Sequence, residues 1–169
     1  SSTPLWSYSA TDNVNAVSIS EDGEYIAAGT DEGDGSDGTV YLFKSGSSTP
    51  LWSYDVDDSV FTVAISADGQ YIVAGGGANS NYGGALFLFH KDSATPLWTW
   101  AESSQIVSVA ISADSEYVIA GTSQGFLYLF ERGSGRRRWC PWRKGRKRFR
   151  ELGKGGFGMF PGMWGATSS

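Results

Sequence analysis

Asp31, Asp34 and Asp37 stand three residues apart in the run Asp31-Glu32-Gly33-Asp34-Gly35-Ser36-Asp37-Gly38. Carboxylates interleaved with glycine are oxygen donors of the kind Ca²⁺ takes, so these three are the candidate metal ligands of the chain. Their spacing is not that of a helix-flanked calcium loop, and a solvated acidic loop is the plainer reading. His90 is the single histidine and Cys140 the single cysteine. No nucleophile is placed beside His90, and Cys140-Pro141 has no evident base, so no catalytic residue is expected. One cysteine also excludes an internal disulfide and a multi-cysteine zinc site. No cofactor is expected.

A second chemistry belongs to the basic stretch that contains Arg136, Arg137, Arg138, Arg143, Lys144, Arg146, Lys147, Arg148 and Arg150, interleaved with Trp139, Trp142 and Phe149. Guanidinium and ammonium groups neutralise phosphates and aromatic rings stack on bases, so nucleic acid or another anionic partner is a possible ligand. The stretch matches no known RNA-binding module, and a loosely attached basic extension is the simpler reading. The net charge of −5 hides this division. Residues 1–131 hold seventeen acids against Lys44 and Lys91, hence −15, while residues 132–169 hold eleven bases against Glu151, hence +10.

The elements that must position these groups are set by a repeat. Thr3-Pro4-Leu5-Trp6 returns as Thr49-Pro50-Leu51-Trp52 and Thr95-Pro96-Leu97-Trp98, each 46 residues on. Val17-Ser18-Ile19-Ser20, Tyr25-Ile26 and Val40-Tyr41-Leu42-Phe43 return in the same order. The third unit is five residues shorter between Gly121 and Leu127, which puts Trp139 at the fourth tryptophan position. The acidic loop becomes Asn79 and Asn81 in the second unit and is deleted in the third.

The blocks alternate with period two. Phe61, Val63 and Ile65 oppose Thr62 and Ala64, and Val107, Val109 and Ile111 oppose Ser108 and Ala110, so each set of bulky residues is expected to share one strand face. Leu86-Phe87-Leu88-Phe89 is apolar on both faces, which implies sheets stacked face to face. Ser20-Glu21-Asp22-Gly23 and Ser66-Ala67-Asp68-Gly69 read as hairpin turns in which Asp22 and Asp68 bond the local backbone and glycine takes positive φ. Asp114 holds the same place, followed by Ser115 instead of glycine, so a strained or differently built turn is expected there. Trp6, Trp52, Trp98 and Trp139 are read as structural rings covering an outer strand, not as a binding ring.

Four short antiparallel strands in about 40–50 residues is the pattern of a β-propeller blade. Val63-Ala64-Ile65-Ser66-Ala67-Asp68-Gly69-Gln70-Tyr71-Ile72-Val73-Ala74-Gly75 resembles the first two strands of a WD-repeat blade. Ser47-Ser48-Thr49-Pro50-Leu51-Trp52-Ser53-Tyr54 is similar to the Trp-bearing strand of quinoprotein-like repeats. The third strands end in Phe43-Lys44, Phe89-His90 and Phe130-Glu131 in place of Trp-Asp. The expected fold is therefore all-β: three four-stranded antiparallel units over residues 1–139 (about 9–54, 55–100 and 101–139). Residues 3–8 form an orphan outer strand and 140–169 an irregular basic tail.

Three blades are too few to close a ring of about four to eight. An incomplete propeller, or one completed by oligomerisation, is expected. The resemblance implies a non-catalytic scaffold for other proteins or for copies of itself. Its quinoprotein-like side implies instead a fragment of an enzyme that binds a quinone, usually with calcium. No apolar run reaches the roughly 18 residues of a membrane helix. The Ser/Thr-rich, Lys-poor repeat region suits a secreted or cell-surface protein.

Overall fold

The turn between the first two strands of each repeat unit has its chemistry written in its residues. In the first unit the Ser20 hydroxyl donates to Asp22 Oδ1 at 2.6 Å, the Glu24 amide donates to the same oxygen at 2.9 Å, and Gly23 takes φ 72°. The structure, a computed structural model, describes residues 2–31, 37–77, 83–134 and the backbone of 137–138. Among them there are strands and turns but no helix.

The strands form three antiparallel sheets in strict chain order. Sheet I contains β1 (Asn13–Ile19), β2 (Tyr25–Asp31), β3 (Gly38–Lys44) and β4 (Trp52–Val56). Sheet II contains β5 (Val60–Ile65), β6 (Tyr71–Gly77), β7 (Gly84–His90) and β8 (Trp98–Glu102). Sheet III contains β9 (Ile106–Ile111), β10 (Tyr117–Thr122), β11 (Leu127–Glu131) and the two-residue β12 (Arg137–Arg138). Register repeats with the sequence: Ile19 faces Ile26, Ile65 faces Ile72 and Ile111 faces Val118.

The sheets stack face to face. The front of one, formed by its first three strands, packs on the rear of the one before. Between sheets I and II, Ala27, Val40, Leu42 and Val56 meet Val60, Val63, Ile65, Ile72, Ala74 and Phe89. Between sheets II and III, Val73, Leu86 and Leu88 meet Ile106, Val118, Ala120 and Phe130. Removing these side chains from water at about 25 cal/mol per Å² is the main force holding one sheet to the next.

A bulge corrects one expected face. Each first strand skips one residue in its pairing, Asn15, Phe61 or Val107. The extra residue reverses the alternation on one side of it. Val60, not Phe61, therefore joins Val63 and Ile65 in the core, and Ile106, not Val107, joins Val109 and Ile111. Val107 is exposed.

Two other expectations are amended. Pro4–Tyr8 joins no sheet. It lies instead across sheet I, with Trp6 5.6 Å and Tyr8 5.1 Å from the Phe43 ring. In β12 the partner of Leu129 is Arg138, whereas the repeat places Trp139 there, one residue on. Trp139 itself lies outside the described residues.

Candidate interaction surface

The joint between sheets is built from the same positions twice. Gly29 of β2 is where Val60 and Val63 of sheet II seat, and a Cβ there would collide with their γ-methyls. Gly75 of β6 receives Ile106 and Val109 in the same way. Glycine is needed at these places because the neighbouring sheet occupies the space of a side chain.

The outer strand of each sheet reaches over the next one. Trp52 of β4 lies tilted 5.3 Å from the Phe89 ring, and its Nε1–H donates to the Lys91 carbonyl at 2.7 Å. Trp98 of β8 stacks 5.6 Å from Phe130 and donates to the Arg132 carbonyl at 3.0 Å. Trp6 donates to the Ser45 carbonyl at 2.6 Å. Residues 4–8 thus relate to sheet I as β4 relates to sheet II.

Cations reinforce the joints from the other direction. Lys91 lies over the Tyr25 ring at 5.5 Å, and Arg132 over the Tyr71 ring at 4.1 Å, where its NH1 also donates to the Tyr71 hydroxyl at 2.6 Å. These pairs were not legible strand by strand. Aligning the units puts Lys91 and Arg132 on one position, and that alignment was the signal that could have found them.

The turn aspartates are structural. The Ser20, Ser66 and Ser112 hydroxyls donate to Asp22, Asp68 and Asp114 at 2.5–2.6 Å. The Ser20 hydroxyl, then the Glu24 amide, holds the Asp22 carboxyl below the usual aspartate range, and Ser112 and Glu116 do the same for Asp114. Burial pushes Asp68 up, but the bonds from Ser66, Gln70 and Ser115 outweigh it and leave Asp68 lowered as well. The third turn is built like the others, and Ser115 takes φ 59° in the left-handed region where glycine stands elsewhere.

The calcium candidates do not assemble among the described residues. Asp31 Oδ2 accepts a bond from Asn15 Nδ2, Asp37 is exposed, and Asp34 lies outside the described residues. No group of three or more His, Cys, Asp or Glu side chains close enough to hold a metal occurs among the described residues. The single histidine, His90, packs edge-on against Tyr71 at 5.4 Å and lies 3.4 Å from Asp92, at the end of β7. Of the basic candidates, Arg137 and Arg138 supply backbone to β12. Arg136, Arg143, Lys144, Arg146, Lys147, Arg148 and Arg150 lie outside the described residues, as does Cys140.

Among the described residues, the stacking leaves one face uncovered at each end. Val17 is 69% and Ile19 60% exposed on the front of sheet I, whereas their equivalents Val63 and Ile65 are 8% and 9% exposed. On the rear of sheet III, Leu127 is 41% exposed where Val40 and Leu86 are fully buried. A Cβ at Gly121, the counterpart of Gly29 and Gly75, would have nothing nearer than Ser108 at 3.9 Å. Among the described residues no helix is long and apolar enough to cross a membrane.

Residues 2–44 match the family model of the WD domain, G-beta repeat. That match begins before Trp6 and ends with β3, so one repeat joins the outer-strand segment of a preceding position to the first three strands of a sheet. No match to a curated protein is found. WD repeats are typically non-catalytic and generally mediate protein–protein interaction. The stacked four-stranded antiparallel sheets have the arrangement of incomplete propeller blades, and within them residues 2–44 are similar to the WD domain, G-beta repeat.

Proposed function

We propose that the chain is a non-catalytic scaffold that binds protein through the open faces at the two ends of its blade stack. The observation behind this reading is the contrast at one repeat position: Val63 is buried by a neighbouring sheet, and Val17 offers the same apolar surface to solvent. Apolar side chains grouped on a flat, rigid sheet face are the usual mark of a protein-binding patch. The turn aspartates and Trp6, Trp52 and Trp98 are occupied in building the blades, so the faces are the surfaces we assign to recognition.

A photo-crosslinking amino acid at position 17 or 127 tests it, with exposed Ser53 on the outer strand as control. In extracts of the cells that make the protein, positions 17 and 127 are expected to yield a protein adduct of defined mass, and position 53 none. Absence of protein adducts from both faces would contradict the reading.

A further inference from the structure

We infer that two copies of this chain join head to tail, the front of sheet I in one copy seating on the rear of sheet III in the other. This deepens the scaffold reading above and rests on it.

The two open faces are the two halves of a joint the molecule already makes twice. The projecting half is Val14, Val17 and Ile19, equivalent to Val60, Val63 and Ile65, which seat on sheet I. The receiving half is the open space at Gly121, beside Ile119, Leu127 and Leu129 on the rear of sheet III. Gly75, Val73, Leu86 and Leu88 hold these places on sheet II, where they receive Ile106 and Val109. A glycine that leaves a side-chain-sized gap is packed against β-branched residues at two of its three occurrences. A second copy carries the β-branched residues, in the same strand geometry, that would fill the third.

The outer strands fit in the same sense. Trp6 and Tyr8 lie on sheet I as Trp52 and Tyr54 of β4 lie on sheet II. A sheet stacked against the front of sheet I therefore meets the 4–8 segment where its own outer strand belongs.

Head-to-tail contacts either close into a ring or run on as a filament. The three sheets of the described residues, taken from two copies, give six blades, within the range of about four to eight at which propellers close. One feature weakens this joint relative to the internal ones. Tyr117 stands at the position of Tyr25 and Tyr71, and it would face Ser45, where Lys91 and Arg132 supply cations inside the chain.

Sedimentation of the full chain, of Val17→Asp and of Gly121→Val tests the inference. Val17 is exposed and Gly121 borders open space, so each variant is expected to keep the wild-type circular dichroism spectrum. The wild-type chain should be a dimer. Each variant should self-associate at least about a hundredfold more weakly, since one buries an unpaired carboxylate and the other fills the slot. Mixed in equal amounts, the two variants should form a heterodimer, because Val17→Asp retains an intact rear face and Gly121→Val an intact front.

A wild-type monomer at the highest concentration reached would overturn the inference. So would a dimer that neither substitution weakens, or a mixture that stays monomeric. If position 17 still crosslinks a different protein in any of these cases, the scaffold reading stands without self-association. If neither face crosslinks any protein, the scaffold reading falls with it.

Discussion

Ser115 occupies the left-handed region at φ 59°, a conformation that costs a residue with a Cβ about 1–2 kcal/mol. Its hydroxyl donates to Asp68 of the neighbouring turn at 3.3 Å, which offsets part of that cost and links two blades. Ser115→Ala keeps the strained backbone and loses the bond, whereas Ser115→Gly loses the bond and relieves the strain. Denaturant melts should rank glycine above alanine by about 1 kcal/mol. Equal stability would show that the strain is absent. The turn aspartates also set the acid limb of stability. Asp22, Asp68 and Asp114 have folded pKa values below the ordinary one, so the folded chain releases those protons more readily than the unfolded chain. Their contribution is complete above the unfolded value of about 3.9 and is lost as pH falls through the lowered folded values. Burial, then the neighbouring Asp57, raises Asp58, which acts with the opposite sign: its contribution is present at low pH and lost as pH rises. Asp92, held low first by the bond from Lys91, acts in the same direction as the three turn aspartates, so these four carboxylates favour loss of stability in acid and Asp58 opposes them. The triple variant Asp22→Asn, Asp68→Asn, Asp114→Asn should show a shallower loss of stability than wild type between about pH 5 and 2. An unchanged acid limb would place the titrating groups elsewhere.

At the scale of the element, the strand order and the three turns were legible because a 46-residue stride repeats the same turn chemistry and the same alternation. The faces of the first strands were only half legible. Period-two reasoning put Phe61 on one face with Val63 and Ile65, and Val107 on one face with Val109 and Ile111, since a pairing skip leaves no mark in a run such as Val60-Phe61-Thr62-Val63. At the end of sheet III, Leu129 pairs with Arg138, one residue away from the position that the stride gives the fourth tryptophan. Glycines on the second strands show how much position in the stack decides. Gly75→Val would drive a side chain into Ile106 and Val109 and should cost about 1–3 kcal/mol in urea melts. The same substitution at Gly121 meets open space, and measured on the monomer it should be close to neutral. If both lowered stability equally, the rear of sheet III would be packed after all.

For the whole molecule, face-to-face stacking followed from the residues themselves, because Leu86-Phe87-Leu88-Phe89 has no polar side to give to water. The open ends could be inferred only as a shortage of blades. Which side chains they expose depended on where the bulge turns each strand, and coordinates were needed to see that Val14, Val17 and Ile19 form one half of a joint and Gly121 the other. The calcium reading of Asp31, Asp34 and Asp37 gains nothing from the described part of that loop, where Asp31 accepts a bond from Asn15. The central claim is that one joint, repeated, holds the blades together. Methyl and Hα nuclear Overhauser contacts test it most directly. The account predicts contacts from Gly29 Hα to the Val60 and Val63 methyls, and from Gly75 Hα to those of Ile106 and Val109. Glycine protons that see only methyls of their own sheet would contradict it.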